Sequence, residues 1–147
     1  LTHLARLIKP GGSLVLIAWS TERLLPGYPL LEAHLNATSS GLAPFGIKHP
    51  PERHFSSSLG WFREAGLKQL SAQSFLGDVQ APLNETMRNA LATLFEMRWQ
   101  DVKKELPGAS YDLYRRLCLP DSRDFIINHP DYYAFFTLTM FSGTVPG

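Results

Sequence analysis

Between Gly12 and Ser20 the chain reads Ser13-Leu14-Val15-Leu16-Ile17-Ala18-Trp19, apolar without alternation, and it enters this run through Lys9-Pro10-Gly11-Gly12. A terminal Lys, a Pro and two Gly end the helical stripe that Leu4, Leu7 and Ile8 set at spacings of three and four. A short continuous apolar run bounded by turn residues reads as a strand covered on both faces, the kind typical of parallel α/β sheets. The alternative, a buried helical segment, is disfavoured by the Gly-Gly entry and the short length. This feature places the chain in the α/β class.

The remaining text supplies partners for that strand. From 20 to 55 it is irregular, punctuated by Pro26-Gly27, Pro29, Gly41, Pro44, Gly46 and Pro50-Pro51 around one short helix, Leu30 to Thr38, as a lid or a long connection would be. Ser56-Ser57-Ser58 offers an N-cap for a helix from Leu59 to Ala65, with Gly66 at its stop. Leu67 to Gly77 alternates and predicts a second, more exposed strand. Pro82 opens the longest helix, through Leu83, Met87, Leu91, Leu94, Phe95, Trp99 and Val102 to Glu105. Pro107-Gly108 ends it, and Tyr111, Tyr114 and Leu117 mark a shorter helix closed before Pro120. One further turn is expected over Asp124 to Asn128. Tyr132 to Ser142, dense in aromatic and β-branched residues, predicts a third strand, apolar on both faces.

At 147 residues, 44% hydrophobic and 18% charged, the chain has the balance of one globular domain with one core. Fourteen Lys+Arg against thirteen Asp+Glu leave a formal charge of +1 with no basic block, which argues against nucleic acid and an anionic membrane surface as partners. The single Cys118 can form no internal disulfide and has no partner at metal spacing, so a reducing, cytoplasmic setting is expected. Beside Leu117 and Leu119 it reads as a buried structural thiol. The run from Leu14 to Trp19 is far short of the roughly 20 residues that span a bilayer.

Two stretches together carry a resemblance. Leu7-Ile8-Lys9-Pro10-Gly11-Gly12-Ser13-Leu14-Val15-Leu16, followed by Trp61-Phe62-Arg63-Glu64-Ala65-Gly66-Leu67 before a strand, is similar to the C-terminal half of class I, Rossmann-like S-adenosylmethionine-dependent methyltransferases. In that family a Leu-Lys-Pro-Gly-Gly turn feeds the fifth strand, a helix ending in Gly feeds the sixth, and an antiparallel seventh strand slots between them. The resemblance covers the whole chain as a single partial domain, 1–147, with Ser13 to Trp19, Leu67 to Gly77 and Tyr132 to Ser142 as those strands. It implies helices packed on the sheet, a lid-like segment over 20–55, and a helical insertion over 81–130 between the last two strands. It also implies methyl transfer from S-adenosylmethionine to a small-molecule acceptor by in-line displacement at the sulfonium carbon.

The family's cofactor site is built by its first half, from a glycine-rich strand-to-helix turn and an acidic residue that holds the ribose, and neither is present in this chain. Pro10-Gly11-Gly12 precedes a strand and leads into no helix N-terminus, so Gly11 and Gly12 are turn residues and no cofactor-binding residue is expected here. The chain on its own is then expected to be inactive. Because the segment after the fifth strand often lies over the methyl acceptor in the family resembled, Trp19, Ser20, Tyr28 and His54 are the expected substrate-side residues.

His49-Pro50-Pro51-Glu52-Arg53-His54 concentrates acid/base side chains, yet the prolines force an extended path and no fourth ligand is indicated, so a structured loop is favoured over a metal centre. No Ser sits in a Gly-x-Ser-x-Gly turn, which disfavours a hydrolase. Arg98, Arg115 and Arg116 interleave with aromatic residues at the spacing of a packed amphipathic helix, not of a nucleic-acid surface. A second function class is a non-catalytic dimerisation module that retains this half-fold. Under either reading, the apolar edge of strand 13–19, left without the neighbour it has in the family, is expected to pair with a second copy.

Overall fold

A helix, α1 (Thr2–Arg6), ends at its C-cap Leu7, short of the expected end at Ile8 before Lys-Pro-Gly-Gly, and β1 follows at Ser13–Arg23. Gly11 sits at φ +79, open to a residue without Cβ. At Gly12 a Cβ would run into the Ile8 side chain and lie 2.9 Å from the Lys9 carbonyl oxygen. The turn is then tied to the far end of the chain: Gly11 N–H donates to the Val145 carbonyl at 2.9 Å and Val145 N–H to the Gly12 carbonyl at 2.8 Å. These descriptions come from a computed structural model that describes residues 1–43 and 50–147.

The later elements are α2 (Pro29–Asn36), α3 (Ser39–Leu42), α4 (Ser58–Glu64), β2 (Lys68–Gln80), α5 (Glu85–Trp99), α6 (Gly108–Cys118) and β3 (Tyr133–Thr144), with short 3-10 turns between them. The chain is thus mixed α/β with a three-stranded sheet in the order β1-β3-β2. Ser71 bonds Ser142 at 2.8 Å and Ser74 bonds Thr139 at 2.9 Å, so residue numbers rise on β2 as they fall on β3. Ser20 bonds Thr139, while Gly12 pairs with Val145, which makes β1 and β3 antiparallel too. The last strand therefore lies between the other two and runs against both, the placement the resemblance implies.

Several boundaries moved for local reasons. The longest helix starts at Glu85, not at Pro82, because the Asn84 side chain accepts the Met87 N–H at 2.8 Å and caps it. It stops at Trp99, where Gln100 is extended and Asp101 takes φ +59, so Val102–Lys104 is a separate 3-10 turn. The Ser triplet supplies no side-chain cap to α4. Instead the His54 side chain accepts from Ser56 N–H at 3.3 Å, capping the 3-10 turn Phe55–Ser57. Gly66 ends α4 at φ +82 as expected.

The described residues fall into two units, and the single expected core is two apolar clusters. One unit comprises Leu1–Thr21, Lys48–Gly77 and Phe136–Gly147. Its core is Ala5, Phe62, Leu67 and Phe141, with Leu14, Leu16 and Leu70 from the strands. The expectation that the first strand is covered on both faces is corrected here: Leu14 and Leu16 pack inward, but Val15 and Ile17 are 49% and 61% exposed. Trp19 stacks on Phe136 at 4.8 Å, and Gly77 faces the Phe136 ring, where a Cβ would come within 2.8 Å. By strand alternation Val15, Ile17 and Phe75 share that outer face. α1 and α4 cover only the other one.

The second unit comprises Glu22–Ile47 and Asp78–Phe135. Its core is larger, built on Leu24, Leu31, Leu35, Leu91, Phe95, Trp99, Ile127 and Tyr132. The segment expected as an insertion carries enough large apolar side chains to bury a core of its own, which is why one cluster became two. Residues 24–35, within the expected lid-like segment, contribute four leucines to it.

Candidate functional site

At the carboxyl end of β1, within the second unit, the chain turns sharply. Leu25-Pro26-Gly27-Tyr28 closes with Tyr28 N–H on the Leu25 carbonyl at 3.0 Å and Gly27 at φ +83, the conformation a type II turn with Pro then Gly requires. Pro29 then opens α2, where a missing N–H costs nothing. Just before the turn, the Leu24 peptide is held at both ends. Its N–H donates to Glu32 Oε1 at 2.7 Å, and its carbonyl accepts from the Tyr132 hydroxyl at 3.1 Å.

Two clefts meet at Pro26. The larger, about 640 Å³, is lined by Tyr28, Arg116, Leu117, Phe125 and His129. Arg116 and Asp124 on its rim are 3.8 Å apart and both well exposed, so their attraction is largely screened. The smaller, about 360 Å³, is lined by Arg23, Leu25, Pro29, Glu32, Tyr133 and Phe135.

Glu32 is 2% exposed. Burial raises its pKa above the ordinary carboxylate value, opposed by hydrogen bonds from the Leu24 and Leu25 amides and by the Arg23 charge. Around it lie other ionisable groups kept neutral. Burial, and then the Glu32 charge, pushes the Cys118 thiol up to about 12. The same two causes push the Tyr132 hydroxyl up. Cys118 therefore stays a thiol through neutral pH, a poor nucleophile in the apolar position expected for it.

The four expected substrate-side residues divide between the units. Tyr28 lines the larger cleft. In the other unit, Trp19 and Ser20 point to opposite faces of the sheet, Trp19 onto Phe136 and Ser20 onto Thr139. The Trp19 indole N–H is buried without an acceptor among the described residues. His54 bonds the Ser56 hydroxyl at 2.7 Å and packs on Phe55. Of the acid/base stretch around it, His49 lies outside the described residues. Among the described residues no group of three His, Cys, Asp or Glu is placed to hold a metal ion.

Sequence reasoning missed Glu32 and the buried pair Glu22 and Arg98. A signal for Glu32 exists: it interrupts the apolar stripe of Leu31 and Leu35, and an acidic residue on the buried face of a helix needs a partner.

The Gly-Gly turn is not shaped as a cradle for S-adenosylmethionine. A Cβ at Gly12 would run into the Ile8 side chain and the Lys9 carbonyl in the turn after α1, and Gly11 N–H donates to the Val145 carbonyl, so both glycines are engaged within the fold.

No family model matches the chain, and no curated protein matches it. A solved structure from Bacillus halodurans C-125, described as a "putative methyltransferase", aligns with 99% of this chain and 56% of its own length, at 16% identity and a TM-score of 0.38. The chain thus spans little more than half of that protein. At that identity and score the likeness adds nothing to an assignment of function. No described helix is long and apolar enough to cross a membrane.

Proposed function

We propose that the chain is the acceptor-side, C-terminal portion of a class I S-adenosylmethionine-dependent methyltransferase acting on a small molecule. The observation that carries this reading is the sheet order: a final antiparallel strand inserted between two strands that enter through Lys-Pro-Gly-Gly and through a helix ending in Gly. Two clefts lie at the carboxyl end of β1, and open α/β sheets bind their ligands beyond the carboxyl ends of their strands. In this reading the chain's own residues bind and orient the acceptor and exclude water, while residues outside these 147 hold the cofactor. S-adenosylhomocysteine at about 1 mM is expected to leave the melting temperature of the 147-residue chain unchanged, and to raise it once a cofactor-binding segment encoded upstream is included, because a ligand stabilises only a protein that has its site. A rise with the 147 residues alone would overturn this division of labour. No rise with the longer protein would overturn the methyltransferase reading.

The second reading, dimerisation, is favoured by β1 itself. It is an edge of the sheet, and Val15 and Ile17 stand exposed on it. A second copy paired along that edge predicts a dimer by analytical ultracentrifugation at micromolar concentration, shifted towards monomer by Ile17→Lys. A monomer throughout sinks this reading and leaves the first untouched.

A further inference from the structure

The smaller cleft is narrow in chemistry as well as in size. Its volume, about 360 Å³, lies within the range of small-molecule sites, and its walls are two prolines, a leucine and the rings of Tyr133 and Phe135, whose centroids are 6.4 Å apart. Tyr133 is 44% exposed, a large aromatic left without cover. Glu32, itself almost entirely buried, is set into this apolar lining, with Arg23 beside the same cleft.

We propose that this cleft binds a small neutral aromatic alcohol, a phenol, with its ring against Tyr133 and Phe135 and its hydroxyl donating a hydrogen bond to the Glu32 carboxylate. Three considerations select that class. An ionised carboxylate has about four acceptor positions, and the Leu24 and Leu25 amides occupy part of them, which leaves acceptor capacity for a further donor. A ligand carboxylate would meet Glu32 as a like charge, and a ligand ammonium would meet Arg23, whereas a neutral hydroxyl meets neither. A flat ring matches the aromatic and proline walls without presenting polar atoms that the cleft leaves unpaired. A buried carboxylate whose ionised form is disfavoured by desolvation also gains more from a new donor than a solvated one would.

The inference rests on the geometry of the second unit and holds whether or not the methyl-transfer reading does.

The test is binding, measured without any cofactor. The 15N-labelled chain is titrated with 4-methylphenol and with 4-methylanisole, which keeps the ring but has no hydroxyl to donate. Amide shifts are expected at Leu25, Glu32, Tyr133 and Phe135, with the phenol binding about tenfold tighter, or about 1.4 kcal/mol. Glu32→Gln replaces a charged acceptor by a neutral one and is expected to shrink that ratio several-fold. Phe135→Leu should weaken both probes together and leave the ratio in place. Equal binding of the two probes, shifts confined to other residues, no binding at about 10 mM, or tighter binding of 4-methylbenzoate or 4-methylbenzylamine would each overturn the proposal. Should Glu32→Gln fail to fold, the probe ratio and shift map of the unaltered chain still decide.

Discussion

Replacing Glu22 by Ala is expected to lower the stability of the chain by about 3–5 kcal/mol, read as a shift in the urea midpoint, because it removes the carboxylate of a buried ion pair from the Arg98 guanidinium. Glu22 is 2% exposed and Arg98 6%. Glu22 Oε1 accepts from Arg98 Nε at 2.8 Å and lies 2.7 Å from its Nη2. Arg98 also donates through Nη1 to the Gly41 carbonyl at 2.7 Å and through Nη2 to Asn36 Oδ1 at 3.1 Å. The pair thereby fastens β1, α2, α3 and α5 together within the second unit. Glu22 Oε2 takes no hydrogen bond from the described residues, so the arrangement is not an optimal ion pair. The double variant Glu22→Leu with Arg98→Met is therefore expected to regain most of the lost stability, since both desolvation costs vanish together. A loss below about 1 kcal/mol in the single variant would show that water reaches the pair.

Trp99→Ala is expected to cost about as much, 3–5 kcal/mol, by a different route. Trp99 is fully buried at the end of α5, with its ring 5.0 Å from that of Phe95 and tilted by 53°. Its Nε1 donates to Asn36 Oδ1 at 2.9 Å, the same oxygen that Arg98 approaches. Truncation removes the apolar contacts, opens a cavity and takes one donor from the half-buried Asn36 amide. Trp99→Phe keeps most of the volume and loses the N–H, so it should fall well below the alanine cost. Equal losses for the two variants would assign the effect to the hydrogen bond instead of the cavity.

Much of the fold was legible because its signals are short-range. The Gly-Gly entry, the Gly66 stop and the alternation of the strands each depend on a few neighbouring residues, and each element appeared near its expected place. The misplaced start of α5 has the same origin: Pro82 and Asn84 are both valid helix openers, and only the bond from Met87 N–H to Asn84 decides between them. Burial was less legible. An uninterrupted apolar run looks alike whether one face is covered or two, and β1 proved to be covered on one.

The candidate site divides in the same way. Tyr28, singled out from the chain, lines a cleft because Pro26-Gly27 must turn there, and that turn is written in two adjacent residues. Glu32 gains its meaning only when Leu24 and Tyr132 arrive, the latter 108 positions from the carbonyl it bonds. Glu22 and Arg98 are 76 positions apart, and no local pattern announces either as buried. The sequence by itself determined the α/β class, the order of the elements and the turn that shapes the clefts, because propensities, caps and turn chemistry act within a few residues. Tertiary structure alone decided which charges are buried, which strand positions stay exposed and which acidic residue lines a cleft, because desolvation and pairing depend on groups that only folding brings together.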